Sequence, residues 1–125
     1  MPIPDNLRYT EEHEWILETG DGNVRIGITD YAQDQLGDIV FVELPDPGRA
    51  VAKGDVIAEI ESTKSVGEVY APFAASVAAI NEAAKARPEL VNQDPYGEGW
   101  LVELSTTEAL PEGLLDAAAY SALID

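Results

Sequence analysis

Lys64 is the side chain in this sequence best placed for covalent chemistry. It stands in Glu61-Ser62-Thr63-Lys64-Ser65, between Asp55–Glu61 and Val66–Pro72, and only Lys53 and Lys85 share its type. Both flanking stretches read as β-strands, so the amine falls at a hairpin tip, where a swinging prosthetic arm could be attached. Nothing beside it suits Schiff-base or general-base work. A modification site therefore fits the pattern better than a catalytic one, with a merely solubilising turn lysine as the plain alternative. His13 is the only histidine. It could support acid–base chemistry, but a packing or hydrogen-bonding role near a strand start is the simpler expectation.

Other chemistries find little support. There are no cysteines, which excludes disulfides, thiolate catalysis and zinc–thiolate sites. No GxGxxG or Walker pattern occurs. Asp94-Pro95-Tyr96-Gly97-Glu98-Gly99-Trp100 instead reads as a structural turn fixed by Pro95, Gly97 and Gly99, with Trp100 entering the core. With no nucleophile–base pair, metal cluster or cofactor loop in view, an independent enzyme is the least supported reading.

The elements that must position Lys64 follow from the apolar pattern. With Thr63 and Lys64 at the tip and Ser62 opposite Ser65, Val56, Ala58 and Ile60 share a face with Gly67 and Val69. That face is apolar and should meet the core. Ile57, Glu59 and Glu61 share the other face with Val66, Glu68 and Tyr70, where Glu59 nearly opposite Glu68 is tolerable only in water. Tight two-residue turns need positive φ and favour Asn-Gly or Asp-Gly. Ser-Thr-Lys-Ser therefore predicts a looser turn than the tight primed type.

Further strands are expected over Glu14–Glu18, Val24–Ile28, Ile39–Leu44, Ala50–Ala52, Ser76–Ile80 and Trp100–Leu104, with a turn at Gly20–Asn23. Thr29-Asp30 caps a helix over Tyr31–Leu36 that ends at Gly37. Asn81 caps a second, limited by Pro88. Asp116 opens a C-terminal helix with an apolar face of Ala119, Tyr120, Leu123 and Ile124. Many short strands with peripheral helices imply a mainly β flattened barrel or sandwich.

The 125 residues suit one domain. At 46% hydrophobic residues the chain reads as globular. With 24 acidic against 7 basic residues the net charge is −17, which disfavours nucleic acid and anionic membranes as partners. The acidity suits docking onto basic protein surfaces, besides keeping the chain soluble. The N-terminal segment lacks a basic or apolar targeting pattern, and no apolar run approaches membrane-spanning length. A cytoplasmic monomer is expected.

Several segments together resemble the glycine cleavage system H proteins. They are His13-Glu14-Trp15, the run from Gly27 to Pro45, Glu61-Ser62-Thr63-Lys64, Tyr70-Ala71-Pro72 and the run from Leu90 to Trp100. The resemblance spans almost the whole chain. It implies a barrel-sandwich hybrid of two antiparallel sheets, of the lipoyl/biotinyl-carrier kind, with short peripheral helices and a C-terminal helix. It implies (R)-lipoate joined through an amide to Lys64, and a carrier that is not itself a catalyst. The lipoyl arm would accept an aminomethyl group from glycine decarboxylase (the P protein) and present it to aminomethyltransferase (the T protein). It would then be reoxidised by dihydrolipoamide dehydrogenase (the L protein); lipoylating enzymes are the remaining partners. The family parks the loaded arm in a surface cleft, where its protonated amine wants carboxylate acceptors. Matching to the family puts Glu14 and Glu68 in that role.

The sequence departs from the family pattern in places. Thr63 replaces a commoner Val, Gly67 a Ser and Glu68 an Asp, and Ala74-Ala75-Ser76 replaces Ser-Gly-Glu. Gly67 is expected to loosen the strand after the lysine, and Glu68 reaches one methylene farther. Biotinyl carriers flank their lysine with methionines, and acyltransferase lipoyl domains carry Asp-Lys-Ala at the tip; neither pattern occurs here. A relay of lipoyl groups to other enzymes and an unlipoylated interaction module are the remaining alternatives.

Overall fold

The computed structural model describes residues 3–20, 22–106, 110–111 and 113–124. Asp21 of the expected turn lies outside them, as do Met1 and Pro2. The first half of the chain forms β1 (Arg8–Tyr9), β2 (Glu14–Glu18), β3 (Asn23–Ile28), α1 (Asp30–Leu36), β4 (Ile39–Glu43) and β5 (Ala50–Val51). The second half forms β6 (Val56–Ser62), β7 (Val66–Tyr70), β8 (Ala75–Ile80), α2 (Glu82–Ala86), α3 (Glu89–Gln93), β9 (Val102–Ser105) and α4 (Ala117–Ile124). One sheet has the order β1-β2-β3-β9-β8-β5 and the other β4-β6-β7. All strand pairs are antiparallel. This is the mainly β, two-sheet architecture with short helices that the sequence implies.

Between the sheets lies an aliphatic core in which Ile26, Val42, Leu101, Val102 and Leu104 have no exposed surface. Each such side chain stabilises the fold by roughly 1.5–3 kcal/mol. A second cluster, of Leu7, Tyr9, Trp15 and Tyr120, fastens α4 against β1 and β2. Tyr120 is buried, but Ala119 and Leu123 face solvent, so the apolar face of α4 is narrower than expected. Trp100 is only half-buried and is covered by the Arg25 guanidinium, 4.4 Å from its ring. Trp15 is the tryptophan in the interior.

The lysine hairpin keeps the expected register from Glu61↔Val66 to Ala58↔Val69, and then a bulge changes it. Val56 rather than Ile57 pairs with Tyr70, so Ile57 turns inward and is 2% exposed. An extra residue re-aims every side chain beyond it. A second bulge between Ile39 and Phe41 does the reverse, turning both Val40 and Phe41 outward at 55% and 47% exposure. Neither β1 nor α3 follows from the pattern. They span two and five residues, too short to display a period.

Candidate functional site

Lys64 is exposed at the β6–β7 tip. Among the described residues no hydrogen bond or ion pair holds its ammonium. The turn beneath it needs no positive φ; among described non-glycine residues only His13 has one. Ser62 does the work of a turn glycine. Its Oγ accepts from the N–H of Ser65 at 3.0 Å and of Lys64 at 3.3 Å, and it donates to the Ser65 carbonyl at 3.1 Å. A hydroxyl that mimics a backbone turn lets Thr63 and Lys64 stay in ordinary conformations. The looser turn expected from Ser-Thr-Lys-Ser is therefore what the chain adopts. The tip leans on the α1–β4 junction, where the Thr63 N–H donates to the Asp38 carbonyl at 3.1 Å.

That junction is clasped by Asn92 of α3, a residue to which the sequence pattern gives no role. Its Oδ1 accepts from Ile39 N–H at 2.9 Å. Its Nδ2 donates to Gln33 Oε1 at 2.8 Å and to the Gly37 carbonyl at 2.9 Å. Gly37 ends α1 at φ +86°, a region that L side chains avoid. A Cβ built there would stand 3.3 Å from Lys64 Cε and 3.9 Å from Nζ, so the lysine stem lies across this glycine.

From the same junction a groove of about 360 Å³ runs between α1 and β7. Ile28, Ala32, Leu36, Ile60 and Val69 give it an apolar lining, and Glu12, His13 and Glu68 give it polar groups. Gly67 is paired squarely with Ile60 rather than loosened. Leu36 lies over it, so that a Cβ would stand 3.2 Å from both Leu36 methyls. The missing side chain makes room for an apolar wall. The Pro72–Ser76 segment likewise turns without positive φ, so the glycine usual there is not needed. Glu68 is exposed and paired across the sheet with Glu59, which in turn faces Glu43.

Glu14 lies apart from Glu68. It lines a neighbouring hollow of about 530 Å³ with Thr10, Lys53 and Tyr70; Glu12 borders both hollows. Glu14 is no surface carboxylate, being 2% exposed. Its Oε1 accepts from Thr10 Oγ1 at 3.1 Å and its Oε2 from the Tyr70 N–H. Burial raises its pKa to about 7, against the two hydrogen bonds. Tyr70 connects the two carboxylates, because its hydroxyl donates to Glu68 at 3.3 Å. Glu12, which no sequence signal distinguishes from Glu11, lines the groove together with Glu68, whereas Glu14 does not.

His13 lines the groove with φ +67°. Its ring lies 4.9 Å from that of Tyr31, and Nδ1 is 2.9 Å from the Tyr120 hydroxyl. Burial lowers its pKa, which favours the neutral ring. The packing and hydrogen-bonding role expected of it is what the structure shows. Among the described residues no group of three or more His, Asp or Glu could hold a metal, and no helix is long and apolar enough to cross a membrane.

The arrangement is an unencumbered amine on a thin turn, with an apolar groove edged by carboxylates beside it. Known proteins resemble the chain in sequence and fold. Residues 7–125 match the family model described as Glycine cleavage H-protein. The glycine cleavage system H protein of Mycolicibacterium smegmatis is 58% identical over 126 residues, 98% of this chain and 96% of that protein. That of Nocardia farcinica is 57% identical, with 97% and 96% covered. The crystal structure of a glycine cleavage system H protein from Mycobacterium marinum is similar at a TM-score of 0.87 and 43% identity, covering 96% of this chain and 97% of that one. Agreement over nearly the full length, at such identity, makes this chain a member of the glycine cleavage H-protein family.

Proposed function

We propose that this chain carries its lipoyl group on Lys64 and that the groove between α1 and β7 shelters the loaded arm. Members of the family are non-catalytic lipoyl carriers of the glycine cleavage system, bearing lipoate on a lysine. They work with glycine decarboxylase, aminomethyltransferase, dihydrolipoamide dehydrogenase and lipoylating enzymes. When bound, the lipoyl group supplies a disulfide that takes up the aminomethyl unit on sulfur. The residues of this chain do the rest.

One observation carries the assignment of Lys64: among the described residues its exposed amine has no polar partner, while its stem lies over Gly37, the residue after Leu36 of the groove wall. The apolar lining from Ile28, Leu36 and Ile60 suits a hydrocarbon arm and excludes water. Glu68 and Glu12 offer the cationic amine charge-assisted acceptors. Glu14, with a pKa near 7, holds a proton on its carboxyl for part of the time at neutral pH. An approaching cation would favour its ionised form. The carrier is read as cytoplasmic.

Intact-mass measurement after incubation with a lipoate ligase and lipoate tests the attachment site. One lipoyl increment is expected, and none in Lys64→Arg. An increment that persists in Lys64→Arg would move the site elsewhere. For the groove, Leu36→Gln in the lipoylated, aminomethyl-loaded protein should speed cargo loss several-fold. An unchanged loss rate would remove the groove from the role.

A further inference from the structure

Helix α1 is one wall of the groove, and its two ends are held by different devices. Asn92 fastens the C-terminal end, next to Lys64. The N-terminal end is held by two phenols: the Tyr96 hydroxyl accepts from the Asp30 N–H at 3.1 Å, and the Tyr120 hydroxyl, from α4 and 91 residues away in sequence, reaches the N-cap itself. Tyr120 is fully buried. Its hydroxyl lies 2.7 Å from Oγ1 of Thr29, the N-cap of α1, whose Oγ1 also accepts from the Ala32 N–H at 3.2 Å. The same hydroxyl lies 2.9 Å from Nδ1 of His13. The backbones beneath are joined too, since Thr29 N–H donates to the His13 carbonyl at 3.0 Å.

His13 holds a left-handed conformation that costs a residue with a Cβ roughly 1–2 kcal/mol. Such a conformation persists only where its surroundings over-determine it. Here they are the Tyr120 hydroxyl, the Tyr31 ring and the paired Thr29 backbone. Tyr120 is itself fixed by stacking on Tyr9, with centroids 4.7 Å apart and planes at 11°.

We propose that Tyr120 is a positioning residue for the groove: its hydroxyl sets the His13 imidazole and the first turn of α1 against each other, so that the wall formed by His13, Tyr31 and Ala32 keeps a fixed shape. Helix α4 thereby governs how well the groove retains its contents, without touching them. The proposal rests on the arm-sheltering reading above, and the experiment separates the two.

Tyr120→Phe keeps the ring and its stack and removes the hydroxyl alone. Amide hydrogen exchange in the unlipoylated protein should rise about fivefold at Ala32 and Thr29, the ratio that corresponds to a hydrogen bond worth ~1 kcal/mol. Exchange at Gly37, on the Asn92 side, should not change. In the loaded protein, cargo loss should speed up by a similar factor, while the rate of lipoylation at Lys64 stays the same. His13→Asn tolerates positive φ and should have the same effect, with the double variant no worse than either single one. Tyr9→Phe is the control: it breaks a hydroxyl bond to the Pro4 carbonyl in the same cluster but none to the groove. Equal acceleration of cargo loss by Tyr9→Phe and Tyr120→Phe would reduce Tyr120 to a stability residue and overturn the proposal. So would no acceleration by Tyr120→Phe where Leu36→Gln accelerates loss. If Leu36→Gln also has no effect, the sheltering reading itself fails.

Discussion

The two ends of α1 solve opposite problems. At the lysine end the contacts are polar and close to water: a Ser62 hydroxyl, an Asp38 carbonyl and an Asn92 amide. At the other end Tyr9, Trp15 and Tyr120 are wholly buried, and their polar atoms are bonded inside the protein. Hydrogen bonds of the first kind compete with water and each contribute about 1 kcal/mol. The second end adds large aromatic burial, so it yields far less readily. On the assignment proposed above, the amine that carries the lipoyl arm is mounted on the end that deforms cheaply, and the sheltering part of the groove is built on the end that does not.

Substitutions should reproduce that ordering. Tyr120→Ala leaves a hole in the aromatic cluster and should cost about 3–5 kcal/mol, read from urea unfolding; a loss near that of Ser62→Ala would erase the contrast. Glu14, in the neighbouring hollow, should show itself through pH. Its folded pKa is raised from 4.5 to about 7 by burial. The protonated form therefore suits the fold, and its contribution is complete below about 4.5 and lost as pH rises through about 7. Relative to Glu14→Gln, the native chain should lose up to about 1.4 kcal/mol per unit across that window. Parallel stability curves for the two proteins would show that the carboxyl is not held neutral.

The lysine end should respond more mildly. Asn92→Ala leaves the Ile39 N–H and the Gly37 carbonyl without their partner and should cost about 1–2 kcal/mol, with slower lipoylation as the junction under Lys64 loosens. Ser62→Ala should cost no more than about 1 kcal/mol, yet slow lipoylation at the same enzyme concentration. A lipoylation rate identical to that of the native chain would mean that the attaching enzyme remakes the turn for itself.

Much of this was legible in the sequence, for physical reasons. Alternation of apolar residues along β6 and β7 sets the register around Lys64 and predicts that its side chain must project. The chemistry of Ser-Thr-Lys-Ser predicts a turn that is not of the primed type. The bulges at Ile57 and Val40 have no local signal, because an extra residue only becomes visible against its partner strand. Burial of Glu14 is equally non-local: its partner Tyr70 comes from the other sheet, 56 residues along the chain, and a carboxylate in a string of acidic residues looks like solvated surface. The groove itself joins β3, α1, β6 and β7. Its members share no spacing that a linear reading could detect, so Glu12 appears only in three dimensions, as does the clasp of Asn92 on the α1–β4 junction.

The small sheet has another property that follows from two bonds already described. Among the described residues its outer strands, β4 and β7, each leave one edge without a strand partner, the kind of edge to which a strand of a second molecule can add. In this chain Asn92 occupies the Ile39 N–H on one side, and Glu14 occupies the Tyr70 N–H on the other. The bulge at Val40 interrupts the remaining ladder of β4. On each border one outward N–H is thus taken by a side chain rather than by another strand. With Val40 and Phe41 in the open, these two side chains make edge-to-edge addition of a second molecule less favourable, and one of them, Asn92, also braces the junction under Lys64.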